Sequence, residues 1–258
     1  MADMFRLDGK VAVVIGGGGG IGEGLALGLA RQGANVAIAS RNLSKLEDVA
    51  KKIKSDPEVK TEVVGLQVDV CDEDSIAKLA EQVVAKFGTV DILVNSQGQN
   101  VKRTAVDFPM ADWDFMFDVN VRGMMLACKY FARIMVEKKS GKIINIGSVA
   151  GARGGGGGNV GYGATKGAVD LLTKNLACEW APFHVNVNAI GPSVIMTQMM
   201  RKEGMPAGIE ERMIARTPYG RLQEVEDLIG TCVFLASPAS DFVVGQTIYV
   251  CGGRSALL

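Results

Sequence analysis

Short β-branched apolar runs separated by stretches of helical periodicity recur along the whole chain, and this alternation limits the possible folds most tightly. Strands joined by helices can pair side by side in parallel only if each helix crosses over the sheet. The runs carry few polar residues, so both faces of that sheet should be covered. The pattern predicts strands over 10–15, 35–40, 62–68, 90–95, 142–147, 185–190 and 247–250. Helices are predicted over 21–31, 43–53, 73–87, 111–137 and 225–236, with another carrying Tyr162 and Lys166. No linker-like shift in composition interrupts the series. The expectation is a single doubly wound α/β domain over 1–258, with a parallel sheet flanked by helices on both faces.

The first strand runs into five glycines, Gly16 to Gly20, followed by Ile21 and Gly22 at the helix start. A glycine run at a strand-to-helix handover lets the backbone approach a pyrophosphate, and the helix N-terminus offers free N–H groups. No Gly-Lys-Ser/Thr follows, which removes the mononucleotide P-loop reading. In dinucleotide-binding folds an acidic residue about 20 positions on takes the ribose 2′-hydroxyl, whereas an Arg suits a 2′-phosphate. Here the second strand ends in Ser40 and Arg41 with no carboxylate. That favours NADP(H), with NAD(H) as the alternative; a solvated Arg41 is the plainer reading. Asp69 and Val70, ending the third strand, should lie at the edge where an adenine sits.

Ser148 to Lys166 reads Ser-Val-Ala-Gly-Ala-Arg-Gly-Gly-Gly-Gly-Gly-Asn-Val-Gly-Tyr-Gly-Ala-Thr-Lys. Tyr162 and Lys166 are one helical turn apart and project from the same face. An ammonium beside a phenol favours the phenolate and should lower its pKa, while Ser148 could hold a substrate oxygen against it. An ordinary surface pair would share the same spacing. Lys102, Arg103 and Arg153 come after strands four and five, where an Arg could take a substrate carboxylate; solvated loop charges are the alternative.

Composition removes other classes. Lys plus Arg and Asp plus Glu are 28 each, so there is no basic surplus to draw nucleic acid. His184 is the only histidine, which rules out a Ser-His-Asp hydrolase and a histidine-rich metal site; no metal is expected. Five cysteines without C-x-x-C spacing suit reduced thiols in the cytosol. No signal-peptide pattern and no membrane-spanning apolar stretch stand out, so the expected localisation is cytoplasmic, with no membrane partner.

Together these segments resemble the short-chain dehydrogenase/reductase family over essentially the whole chain. The family's T-G-x-x-x-G-I-G corresponds to Ile15 through Gly22, and its N-N-A-G to Asn95-Ser96-Gln97-Gly98. Asp118-Val119-Asn120, Gly147-Ser148, Tyr162 to Lys166 and Pro192 to Thr197 appear in the family's order. The resemblance implies a Rossmann fold and hydride transfer between NAD(P)(H) and an alcohol or carbonyl carbon. Tyr162 would be the general acid/base, Lys166 would lower its pKa and hold the nicotinamide ribose, and Ser148 would orient the substrate oxygen. Asn120 would place a proton-relaying water. Gly16, Gly20, Ile21, Gly22, Asn95, Gly98, Ile195 and Thr197 would join Ser40, Arg41, Asp69 and Val70 around the cofactor. A homotetramer is implied as well.

Three departures stand out. Ile15 replaces a Thr that ties the glycine loop to the altered Asn-Ser-Gln-Gly strand, so the tie must be rebuilt or lost. The Ser148-to-Tyr162 interval is one residue longer than is usual in the family. Gly154 to Gly158 would absorb this as a pliable insertion, with Arg153 and Asn159 facing a substrate. Cys251 stands where the family often has Asp. The segment at about 193–217 should cover the substrate; Met196, Met199, Met200, Met205 and Met213 make it either an adaptable lid or plain packing. Stretches around Asn188, Arg216 and Phe242 look most like gluconate 5-dehydrogenase-type members, acting on sugar acids and polyols. A 3-oxoacyl-thioester reductase shares nearly the same motifs. A non-catalytic dinucleotide-binding protein is the alternative of another class.

Overall fold

The structure, a computed structural model, describes residues 3–196 and 208–257. Seven strands form one sheet: β1 (Val11–Ile15), β2 (Asn35–Ser40), β3 (Val63–Gln67), β4 (Ile92–Asn95), β5 (Gly141–Ile146), β6 (Val185–Pro192) and β7 (Thr247–Val250). All neighbours pair in parallel. The order is β3-β2-β1-β4-β5-β6-β7, so the chain reverses its direction of travel between β1 and β4. At such a switch point the crossovers leave on opposite faces and open a crevice at the carboxyl ends. Ile15 is level with both Ala39 and Asn95, and Asn95 with Asn145, which brings the residues after β1, β4 and β5 to one edge.

The helices described are α1 (Gly20–Arg31), α2 (Leu43–Lys54), α3 (Glu73–Phe87), α4 (Met110–Phe117), α5 (Gly123–Glu137), α6 (Val149–Ala152), α7 (Val160–Trp180), α8 (Ile209–Ala215) and α9 (Glu226–Ala236). Local chemistry sets several ends. Asn42 caps α2 by accepting from the Lys45 N–H, Asp72 caps α3 through Asp74, and Gly88 ends α3 in the left-handed region. The period-2 alternation of β1 sorts its side chains between two cores. Val11, Val13 and Ile15 pack with Leu79 of α3 and Phe131 of α5. Ala12 and Val14 pack with Leu25 of α1, Leu46 of α2 and Leu228 of α9.

One predicted helix is in fact three pieces. The run over 111–137 breaks into α4, a π-helical turn at Asp118–Arg122, and α5. The wider turn leads into a tight backbone approach at the start of α5. Gly123 lies so close to Val70 that a Cβ would sit 2.7 Å from the Val70 carbonyl oxygen. Such turns re-aim a side chain within a helix, and here that side chain is Asn120. Of the segment expected to cover a substrate, Ser193 to Met196 and α8 are described. Thr197, Met199, Met200 and Met205 lie outside the described residues.

Candidate active site

The glycine turn is built on backbone contact. Gly16 has φ +85°, and a Cβ there would sit 2.7 Å from the Gln97 nitrogen and the Ser96 carbonyl carbon. Gly22 is equally confined, since a Cβ would stand 2.3 Å from the Gly16 carbonyl oxygen. The Ser96 N–H also donates to the Ile15 carbonyl at 2.8 Å. Without the family's threonine, the turn is therefore tied to the end of β4 by main-chain packing. Gly16→Ala is expected to cost about 2–5 kcal/mol from left-handed strain plus overpacking. Urea unfolding of the variant checks this.

The end of β4 then carries the turn to the catalytic candidates. A Cβ on Gly98 would lie 3.7 Å from both the Asn120 Oδ1 and the Lys166 Nζ. Lys166 is 3% exposed; its ammonium donates to the Ile146 carbonyl at 2.7 Å and lies 5.6 Å from the centre of the Tyr162 ring. Desolvation lowers its pKa from 10.5 to about 8, partly offset by Asp170 one helical turn on. Ser148 caps α6 by accepting from the Ala150 N–H at 3.1 Å. The Ser148 hydroxyl also reaches the phenol of Tyr162.

The pKa of Tyr162 differs from the sequence expectation. Burial drives the phenol above 10, and the Ser148 hydrogen bond recovers only part of that rise. Desolvation of the anion is the largest effect on this phenol. The phenol is thus a neutral proton donor at pH 7.

Asn120, fully buried, braces the site. Its Oδ1 accepts from the Gln99 N–H at 2.7 Å, and its Nδ2 donates to the Gln99 carbonyl at 2.9 Å and to the Thr165 hydroxyl at 3.0 Å. Both amide hydrogens are used, and one lone pair on Oδ1 remains for a water. Asn95, expected at the cofactor, turns its side-chain amide into the protein, with Oδ1 buried and unpartnered among the described residues. Its Nδ2 donates to Asn145 Oδ1 at 2.9 Å, and Asn145 in turn donates to Thr173 at 3.0 Å. The side chain belongs to a buried ladder between β4, β5 and α7.

On the cofactor side, Ser40 Oγ stands 2.9 Å from where a Cβ on Gly18 would be. Arg41 is exposed and has no carboxylate partner among the described residues. Lys45, one turn into α2, brings its Nζ to 3.2 Å from the corresponding position at Gly19. Sequence reading missed Lys45; its place one helical turn after Arg41 was the available signal. Asp69 turns back on its own loop, accepting from the Cys71 N–H at 3.0 Å, and Val70 is buried against Gly123. Ile195 pairs with Gln223 in an isolated bridge.

A dinucleotide fits the residues present. Gln97 is 7% exposed, and both its amide atoms, like Ser96 Oγ, are buried without a partner. Leaving such groups unpaired costs about 1–3 kcal/mol each. The backbone of both residues lies against Gly16, so these orphaned groups belong to the segment that walls the glycine turn.

The expected substrate residues part company. Arg103 pairs with Asp112 of α4 at 3.2 Å, and its backbone N–H holds the Gly158 carbonyl at 3.1 Å. Asn159 accepts from Asn100 at 3.3 Å. These contacts pin the far end of the glycine insertion. Arg153 instead turns inward and donates to the Arg254 carbonyl at 2.5 Å. A cavity of about 460 Å³, lined by Lys10, Asp91, Lys142 and His184 among others, lies at the opposite, amino-terminal edge of the sheet. Its lysines are neutralised by Asp91 and Asp241.

Comparison with known proteins agrees with this geometry. A family model described as enoyl-(acyl carrier protein) reductase matches residues 16–255. Gluconate 5-dehydrogenase of Gluconobacter oxydans is 35% identical over 258 residues, covering 99% of this chain and 98% of that protein. The 3-oxoacyl-(acyl-carrier-protein) reductase of Thermotoga maritima is 34% identical over 249 residues, covering 96% and 99%. Among solved structures, a gluconate 5-dehydrogenase from Burkholderia cenocepacia in complex with NADP and tartrate superposes with TM-score 0.93 at 36% identity, covering 99% of each chain. The chain belongs to the short-chain dehydrogenase/reductase family, oxidoreductases that bind NAD(P) and work between alcohols and ketones.

Proposed function

We propose that this protein is an NADP(H)-dependent oxidoreductase that interconverts a secondary alcohol and a ketone on a sugar acid or polyol. The observation that carries this is the stacking of a buried Lys166 on Tyr162, with Ser148 at the phenol and the glycine turn one short strand end away. NADPH, when bound, supplies hydride to the carbonyl carbon. The Gly16–Gly22 turn, with Gly20, Ile21 and Gly98, would receive its pyrophosphate and nicotinamide end. Ser40, Arg41 and Lys45 would hold the 2′-phosphate, and Asp69, Val70, Ile195 and Thr197 complete the proposed cofactor set.

Tyr162 gives its proton to the substrate oxygen in reduction and takes it back in oxidation. Ser148 donates a hydrogen bond to that oxygen as charge develops. Lys166, held by the Ile146 carbonyl, favours the phenolate once the proton has left. Asn120 fixes Gln99 and Thr165, and its remaining lone pair holds a water through which Lys166 exchanges protons with solvent.

Similarity to gluconate 5-dehydrogenases over the full chain supports a sugar-acid substrate. The Thermotoga relative keeps a 3-oxoacyl-thioester reductase as the second reading, and the intact Ser148, Tyr162 and Lys166 speak against a purely non-catalytic binder. The family resemblance also supports a cytoplasmic homotetramer. Exposed apolar side chains on and near α4 and on α7, Val106 at 92%, Met110 at 62% and Leu171 at 60%, suit buried subunit contacts. The cofactor assignment is tested by Arg41→Ala. The Kd for NADPH should rise about 10-fold or more, as for a lost charged hydrogen bond, with little change for NADH. Equal losses for both nucleotides would refute it.

A further inference from the structure

Tyr162, Lys166 and Asp170 follow one another at helical-turn spacing along α7, so their side chains share one face. Each meets the end of β5 or the residue just beyond it. The Tyr162 phenol meets the Ser148 hydroxyl, and the Lys166 ammonium donates to the Ile146 carbonyl at 2.7 Å. Asp170 lies against the residue between them, since a Cβ on Gly147 would sit 3.2 Å from its Oδ1. Its other oxygen faces α6: a Cβ on Gly151 would stand 2.9 Å from Oδ2 and 2.6 Å from the Lys166 carbonyl. Ile146, Gly147 and Ser148 are thus each held by one side chain from a single helical face. The chemistry proposed above uses Lys166 and Tyr162 and gives Asp170 no task.

Asp170 also reaches the edge of the sheet. Thr247 and Tyr249 project from the same face of β7 and donate to its Oδ1 and Oδ2, each at 3.1 Å. One hydroxyl donor to each oxygen is what an ionised carboxylate accepts. The titratable groups facing it are Lys166 and Lys174 on α7 and Tyr249 on β7, whose phenol is pushed up to about 12 and stays a donor. From β5 and α6 it meets glycine backbone, at Gly147 and Gly151. Burial raises the Asp170 pKa, and the two hydroxyls and the two lysines oppose that rise. We propose that Asp170 is a positioning residue for the reaction: its carboxylate ties edge strand β7 to the backbone just before Ser148 and sets a negative charge one helical turn behind the Lys166 ammonium. This rests on the reading of Tyr162 and Lys166 as the proton-transfer pair, and adds what keeps that pair charged and in place.

The test titrates Lys166 itself. In apo-protein labelled at the lysine Cε carbon, the NMR signal lost in Lys166→Met belongs to Lys166. It should titrate near pH 8 in the wild type and near about pH 7 in Asp170→Asn, as expected when an opposite charge nearby is removed. Asparagine keeps the shape of the carboxylate and can still accept from one hydroxyl, so the variant should fold. Asp170→Ser removes the same charge with less bulk and should move the midpoint the same way. Asp170→Glu, which restores the charge, should bring the midpoint back towards that of the wild type. Tyr249→Phe removes one tie but not the charge, and should leave the midpoint in place. Hydrogen exchange over 247–250 should quicken in both Asp170→Asn and Tyr249→Phe. In NADP⁺-dependent oxidation of D-gluconate, kcat of Asp170→Asn should be about 5-fold below wild type at about pH 8 and nearly equal at about pH 6, with KM little changed.

A Lys166 midpoint that stays in place in Asp170→Asn and Asp170→Ser overturns the proposal. So does an equal fall in Tyr249→Phe, which would make the effect one of packing rather than charge. Quickened exchange in β7 with a kcat deficit that is the same at both pH values also overturns it, because Asp170 would then serve the fold alone. If the wild type oxidises no gluconate but the midpoint falls in Asp170→Asn, the sugar-acid reading fails and the link between Asp170 and Lys166 stands.

Discussion

Tyr162→Phe is expected to lower kcat by about 10²–10⁴-fold, the usual share of a positioned general acid/base, while leaving NADPH binding nearly intact. Phe preserves the ring on which the Lys166 ammonium stacks at 5.6 Å, so the helix face and the buried cation keep their packing. Only the hydroxyl is removed, together with its hydrogen bond to Ser148. Because burial holds that phenol protonated, the wild type begins ketone reduction with its proton already in place. The variant has no group at the same point that can donate one. Turnover of a carbonyl panel and fluorescence titration of NADPH on both proteins measure the two effects separately. A wild type that binds NADPH tightly yet reduces nothing would sink the enzyme reading, and a variant that keeps its rate would remove Tyr162 from the chemistry.

Lys166→Met should give opposite signs for activity and stability. Activity should fall by a comparable factor, because the phenolate loses its cation and the proton path its terminus. The apo-protein should be as stable as the wild type at pH 7 or more so. A lysine whose pKa falls from 10.5 to about 8 on folding costs about 3 kcal/mol when protonated. The Ile146 carbonyl, which accepts from Lys166 at 2.7 Å, is left unpaired in the variant and offsets about 1–3 kcal/mol of the gain.

Proton linkage sets the sign of the pH dependence. Between pH 8 and 10.5 the unfolded wild type binds more protons at this site than the folded protein, so folding becomes more favourable as pH rises. The penalty is full below pH 8 and absent above 10.5. Methionine does not titrate, so the stability difference between variant and wild type should shift steadily in favour of the wild type across that window. Denaturant unfolding of both apo-proteins at about pH 7, 9 and 10.5, spanning the window, reads this directly. A difference that stays flat with pH would show that Lys166 is not desolvated as its burial implies.

Much of the fold was legible because it is written in local periods. A strand that alternates its side chains between two cores, as β1 does with Val13 and Val14, has the same run of apolar residues in any context. The Tyr162–Lys166 pair was visible for the same reason, since one helical turn is a property of the backbone. The glycine turn was visible because no side chain fits at Gly16 or Gly22. Asn120 was found by motif, but its setting in a π-turn was not. An apolar pattern cannot report a single extra residue whose reason, the approach of Gly123 to Val70, lies about 50 residues away in the chain.

By itself, the sequence determined the doubly wound sheet and the identity of the catalytic candidates, because each depends on spacing within one or two elements; the strand order and its switch point came with the structure. Only the tertiary structure decided which residues meet. It placed the Asn95 side chain in the ladder with Asn145 and Thr173, gave Arg103 to Asp112, and turned Arg153 to the Arg254 carbonyl about 100 residues away. It also set the charge states in the site. Desolvation depends on everything packed around a group, so it carries Tyr162 above the ordinary phenol range and Lys166 down to about 8, although their helical spacing alone predicts a lowered phenol.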